Sequence, residues 1–291
     1  MNLRKEREGE LAMFFEVLLW GLFPIITVPS YKNVSPLISL EISTIFTVIF
    51  FGIIISARKK WHEVFNTSVY KDVFFATIFI ISFYLFYYFA LKYTSVGNAS
   101  IVALSETFFS YLVFNVWKKE YIPKKHILGA IFMIMGALII LLPNIKAFNI
   151  GDILVLLAAA VAPFGNFLQR KARSKISSES IMFLRGCIGS IMILVFILVF
   201  NVKTSIYEIR SSMLFLLING ILIFGLSKIF WLEAIHRINV AKASALGASA
   251  PLVTLFFAWM FLKSALTSWQ FLSLIPVFLG IYLLSRNNAK H

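Results

Sequence analysis

A chain of 291 residues that is 60% hydrophobic and 14% charged, with a mean hydropathy of +0.88, carries more apolar surface than a water-soluble domain can bury. The formal net charge of +14 raises nucleic acid as a partner, but the basic residues sort by loop instead of forming a binding stripe, which excludes it. A single cysteine, Cys187, excludes an internal disulfide and a cysteine metal cluster.

Apolar runs of about 20 residues, the length that crosses the hydrocarbon, recur between short stretches rich in Lys, Arg, Asn, Ser and Pro. They are continuous, as in Ile131 to Leu142, and not alternating, so they predict helices and not barrel strands. The first, Leu11 to Val28, is too long for the apolar region of a signal peptide and lacks a small-x-small cleavage site, so it is read as a span. Nine more follow in chain order: Ser35 to Ser56, Val73 to Leu91, Ala99 to Val116, Ile127 to Leu142, Ile153 to Leu168, Ser180 to Phe200, Met213 to Ile235, Ala241 to Leu262 and Trp269 to Leu284. The fifth and sixth are the shortest.

With both termini placed in the cytoplasm, 19 Lys and Arg fall on the cytoplasmic side and 6 on the other, while Arg185 and Lys228 lie inside helices. The positive-inside rule therefore predicts a multi-pass protein of the cell membrane with both ends cytoplasmic.

The second half repeats much of the first at an offset of 144 residues. Phe86, Ala90, Val96, Ala99, Ser100, Ser105, Lys119 and Gly136 recur as Phe230, Ala234, Val240, Ala243, Ser244, Ser249, Lys263 and Gly280. The halves are read as 1–146 and 147–291, joined near Asn144 to Ile150. Five spans per half is an odd number, so the second copy enters the membrane from the opposite face. The expected fold is all-α, with ten transmembrane helices in two inverted five-helix repeats, an architecture that suits alternating access. Pro24 of the first span stands opposite Pro163 of the sixth, which predicts a matched kink.

The chain resembles the drug/metabolite transporter superfamily, in its EamA-like branch of ten helices. The resemblance is carried by Trp20-Gly21 with Pro24, Phe89-Ala90-Leu91 with Tyr93-Thr94-Ser95, Ala99 to Ser105, Lys119-Glu120, Gly129 through Gly136, Gly151-Asp152 and Ala250-Pro251-Leu252. It implies carrier-type transport of small metabolites, often export, and leaves the substrate open. Two positions depart from the family: Thr107 stands where a proline matching Pro251 is common, and Glu41 where arginine is frequent.

An ionisable side chain inside a span is costly and marks a cavity or a partner. Four qualify: Glu41, Glu106, Arg185 and Lys228. Glu41 and Arg185 stand 144 apart, read as symmetry mates of opposite charge forming a gate or substrate clamp; a helix–helix tether is the alternative. Glu106 shares a stripe with Ala99, Val102 and Ser110 and has the chemistry for proton coupling or for holding an amine, against a carboxyl bonded to its helix neighbours. Lys228 could take a substrate carboxylate, with Tyr84 or Trp231 walling the pocket or simply facing lipid. Trp20, Asn166 and Gln169 add hydrogen-bond donors to the cavity, with Gln169 alternatively just ending its helix beside Arg170, whereas Glu16 and Glu233 are read as interfacial.

Both signs of charge in one cavity suit a zwitterion such as an amino acid. Absence of HExxH, CxxC or clustered histidines speaks against an enzyme, and no metal or cofactor site is expected. Without a GxxxxGK[ST] loop, energy must come from protons, a counter-substrate or a partner. The alternatives to a transporter are a lipid-headgroup flippase and a non-transporting membrane scaffold.

Overall fold

The computed structural model describes residues 3–31, 33–113, 124–141, 149–238, 243, 246–247, 249–264 and 267–285. Its elements are α1 (Leu3–Gly21), α2 (Phe23–Ser30), α3 (Pro36–Ala57), α4 (Trp61–Val64), a 3-10 turn (Thr67–Val69), α5 (Tyr70–Ala90), α6 (Val96–Val102), α7 (Ser105–Leu112), α8 (Lys124–Leu141), α9 (Ile150–Arg173), α10 (Ser178–Val199) and α11 (Ile206–Ile218). A π-helical stretch (Asn219–Ser227), α12 (Lys228–Arg237), α13 (Ala250–Leu262) and α14 (Ser268–Ser285) complete them. No strand occurs among the described residues.

Six helices are long and apolar enough to cross a membrane: Lys5–Ser30, Pro36–Ala57, Thr67–Ala90, Ile150–Arg173, Ser178–Val199 and Ile206–Arg237. Ala250–Leu262 and Ser268–Gly280 are shorter apolar helices. Starts follow local chemistry: Ser35 and Ser95 accept the backbone N–H three residues on, Asn149 caps α9, and Ser205 with Glu208 forms a capping box on α11. In the repeat, Lys119, Val240 and Ser244 lie outside the described residues, as do Glu120, Val116 and most of the connector.

Several expectations change. The sixth span, expected to be short, is a continuous 24-residue helix. The fourth is two pieces, α6 and α7, broken at Ala103 and Leu104. Pro24 sits in the first turn of α2, just past a break at Leu22, whereas Pro163 lies within unbroken α9. A proline near a helix N-terminus leaves no hydrogen bond unmade, so the two prolines do different work.

Helices pair in a regular way: α3 lies along α10, α8 along α14, α5 along α9, and α1 against α12. Small residues permit the close approaches. A Cβ on Gly136 of α8 would stand 2.4 Å from Val277 of α14, and one on Gly220 would stand 2.4 Å from the Ser43 carbonyl of α3. Helices α8 and α14 begin and end 144 residues apart, but α3 and α10 begin and end 142 apart. By their bounds Arg185 therefore corresponds to Ser43, not to Glu41.

At one end of the bundle the chain is tied by ions and hydroxyls. Lys171 meets Asp72 at 2.9 Å, Arg58 and Lys60 meet Glu179, and Glu233 meets Arg173 at 2.8 Å and also Arg237. Glu63 of α4 accepts from the Ser177 N–H and hydroxyl and from Ser180. Burial pushes the Glu63 carboxyl up, but these hydrogen bonds and the charge of Lys60 outweigh it and hold the group below the usual carboxylate range. Beneath this ionic layer lies an apolar one built from Met13, Phe51, Ile181, Leu232 and Ile235.

Candidate functional site

Between the halves lies a cavity of about 120 Å³ lined by both apolar and charged side chains. By the measure in which one water needs about 10–15 Å³, it admits a solute of several heavy atoms. Among the described residues, breaks in four of the spans touch it. Trp20, Phe23 and Pro24 flank the break between α1 and α2, Ala103 and Leu104 are the break between α6 and α7, Gly247, Ala250 and Pro251 flank the entry to α13, and Lys228 follows the π-helical stretch. Backbone freed at such breaks is tolerated in a membrane where side chains or a cavity satisfy it. The Gly21 carbonyl shows how: it accepts the Thr254 hydroxyl at 2.7 Å.

Glu16 projects from α1 and is 3% exposed. Its carboxylate holds the Lys228 ammonium at 3.1 Å, and that ammonium sits 3.4 Å from the centre of a Trp20 ring. Trp20 is stacked on Phe23 at 4.6 Å, so the cation is fixed between a carboxylate and a braced aromatic face. These two charges neutralise one another.

The opposite wall is built along α9. Arg185 of α10 donates to Gln169 at 2.5 Å, Gln169 donates to Asn166 at 3.4 Å, and Asn166 donates to Glu106 at 2.9 Å. Trp231 of α12 also donates to Asn166, at 3.3 Å. Asn166 and Gln169 are three apart, so α9 presents both on one face, and the amide orientations are those this network requires. All donors run in one direction, from guanidinium to carboxylate. Neither end meets an opposite charge at ion-pair distance among the described residues. Arg185 has Gln169 and the facing Tyr84 hydroxyl as neutral partners, and Glu106, in the first turn of α7, has Asn166.

The structure thus gathers Trp20, Tyr84, Glu106, Asn166, Arg185, Lys228 and Trp231 around one cavity. It does not bring Glu41 there. Glu41 accepts from Ser190 of α10, away from Arg185, so the two form no clamp here. Glu16, read as interfacial, is a cavity residue 3% exposed, and of the two readings of Gln169 the structure places it in the cavity, 1% exposed. For Glu16 spacing carried the missing signal, since it is one turn from Trp20. Thr107, the family departure, also lines the cavity.

The sequence pattern that defines the EamA-like transporter family matches residues 7–142 and, a second time, residues 149–286. The chain belongs to the EamA-like transporter family. Over 277 residues it is 19% identical to a Bacillus subtilis (strain 168) protein named "Uncharacterized transporter YoaV", spanning 94% of this chain and 95% of that one. A solved crystal structure at 15% identity superposes with a TM-score of 0.76, covering 96% of this chain and 98% of its own, a likeness of fold. This EamA-like protein is a multi-pass membrane transporter made of two repeats, and not an enzyme. Its family points to a small-molecule substrate.

Proposed function

We propose that this transporter carries a small zwitterionic metabolite, an amino acid, across the cell membrane by alternating access, with export the direction the family resemblance implies. One observation carries the reading: Arg185, buried, and Glu106, half-buried, line one cavity and form no ion pair among the described residues, while Glu16 and Lys228 pair with each other. A buried lone charge is expensive, and a solute bearing a carboxylate for Arg185 and an ammonium for Glu106 offsets both costs at once. Tyr84, Trp20 and Trp231 wall the remaining space, and Asn166 and Gln169 keep the two charged ends in register.

The transport cycle rests on two inverted five-helix repeats, 1–146 and 147–291, with both termini in the cytoplasm. The helix pairing supports this. The first helix of one half packs on the eighth span as the sixth packs on the third, and α3 with α10 and α8 with α14 pair with their own counterparts, the pattern a twofold axis generates. In the proposed orientation the ionic layer around Glu63, Glu179 and Glu233 closes the cytoplasmic end.

The test is counterflow in liposomes holding the purified protein, with a panel of amino acids, simple amines, carboxylic acids and labelled phospholipids. Exchange of amino acids above both single-charge classes is the expected result. Movement of phospholipid with no amino acid exchange would replace this reading with the flippase one, and no movement of any solute would leave a scaffold.

A further inference from the structure

Glu41 is the buried acid that the cavity does not use. It lies on α3, 3% exposed, and its Oε1 accepts from the Ser190 hydroxyl of α10. Its Oε2 has no hydrogen-bond partner among the described residues. Glu16, Asp72, Glu179 and Glu233 are also buried or half-buried, and each holds a Lys or Arg. Glu41 holds none.

The elements packed against α3 are α10, the π-helical stretch, α11 and α5. Their ionisable groups are engaged elsewhere: Arg185 with Gln169, Glu179 with Arg58, Glu208 with Ser205 and Thr204, and Asp72 with Lys171. Tyr88 of α5 bonds Asn219, Lys71 and Arg210 are exposed, and Cys187 and Tyr84 make no hydrogen bond to Glu41. An ionised carboxylate with a single hydroxyl donor in such a place is costly by several kcal/mol. As the neutral acid it leaves one O–H donor unpaired, a smaller cost than an uncompensated charge. The ligand that fits the vacant charge is a proton.

Position gives that proton a use. The α3–α10 seam joins equivalent helices of the two repeats at close range, a Cβ on Gly186 standing 2.7 Å from Val48. Any rocking of one repeat on the other shears this seam, parts Glu41 from Ser190 and lets water reach the carboxyl, which then releases H⁺ as the carboxylate.

We propose that Glu41 is a proton-binding site in the α3–α10 seam, separate from the substrate cavity, and that its protonation and release are coupled to transport. The coupling clause rests on the proposed transport function; the protonation clause does not.

Two measurements separate them. Infrared difference spectra of the purified protein at neutral pH should show a protonated-carboxyl C=O band that Glu41→Gln removes and Glu106→Gln leaves. In liposomes, an imposed pH gradient should drive accumulation of labelled amino acids by the unsubstituted protein. Glu41→Gln should lose that accumulation, the inside-to-outside ratio falling to one, while its counterflow without a gradient is kept. Should Glu41→Gln not be recovered folded, Ser190→Ala keeps the acid, removes its donor and should move the band to higher frequency. A spectrum in which neither substitution changes a protonated-carboxyl band overturns the site. Gradient-driven accumulation that survives Glu41→Gln, or is absent from the unsubstituted protein while counterflow works, overturns the coupling. If no amino acid moves at all, the function fails and the infrared result still decides the site.

Discussion

Removing one member of the Glu16–Lys228 pair should be far worse than removing both. At 3.1 Å, two unit charges attract by about 5 kcal/mol if the effective dielectric constant is about 20, and the Trp20 face adds about 2 kcal/mol to a desolvated cation. Most of this is offset by the loss of hydration when both groups are buried, so the net worth of the pair is small. A single substitution escapes that cancellation. Lys228→Met leaves Glu16, 3% exposed, without its cation, and should lower unfolding stability by about 3–5 kcal/mol. Glu16→Gln should cost toward the lower end of that range, because Lys228 keeps its seat on Trp20 and lies in the field of Glu106. The double variant Glu16→Gln with Lys228→Met retains no unpaired charge from the pair, and should lie within about 2 kcal/mol of the unsubstituted protein. Reversible unfolding in mixed micelles, followed by tryptophan fluorescence, measures the full double-mutant cycle. Single costs that simply add, to within about 0.5 kcal/mol, would refute the pairing.

Gly220→Ala places a methyl against the Ser43 carbonyl and Phe46, and should lower stability by about 1–3 kcal/mol in the same unfolding assay. The Glu63 carboxyl is held below its ordinary value, so its contribution is complete above about pH 4.5 and is lost as the pH falls through the lower, folded value. Thermal melts in detergent should therefore show a smaller loss of Tm between neutral and strongly acid pH for Glu63→Gln than for the unsubstituted protein; equal losses would remove Glu63 from the account.

The six long spans were legible because hydrocarbon thickness sets helix length, and continuous apolar runs such as Pro36–Ala57 leave little freedom. The cavity charges Glu106, Arg185 and Lys228 were legible for the same reason, since each interrupts such a run at a cost that needs a cause. The breaks were not. Ala103 and Leu104 carry no breaker signal, yet they form the interruption between α6 and α7 and line the cavity. Glu16 was hidden by a boundary: α1 runs from Leu3, about two turns before the expected start at Leu11, so the residue sits within the bundle and not at its rim. Glu41 misled through symmetry. A constant offset of 144 made it the mate of Arg185, but α3 and α10 are displaced by 142, a shift of two residues that turns a helical side chain by roughly 200°.

The central claim is that Arg185 and Glu106 read the two ends of one zwitterion. Counterflow in liposomes tests it when each amino acid that exchanges is compared with its carboxyl-amidated and its deaminated analogue, for the unsubstituted protein, Arg185→Gln and Glu106→Gln. Hydrogen bonds to charged groups contribute about 1.5–3 kcal/mol, so each analogue should bind about 10- to 100-fold more weakly than the parent. Arg185→Gln should erase the preference over the amidated analogue alone, and Glu106→Gln the preference over the deaminated one alone. Unsubstituted protein that exchanges the parent and both analogues equally would contradict the account.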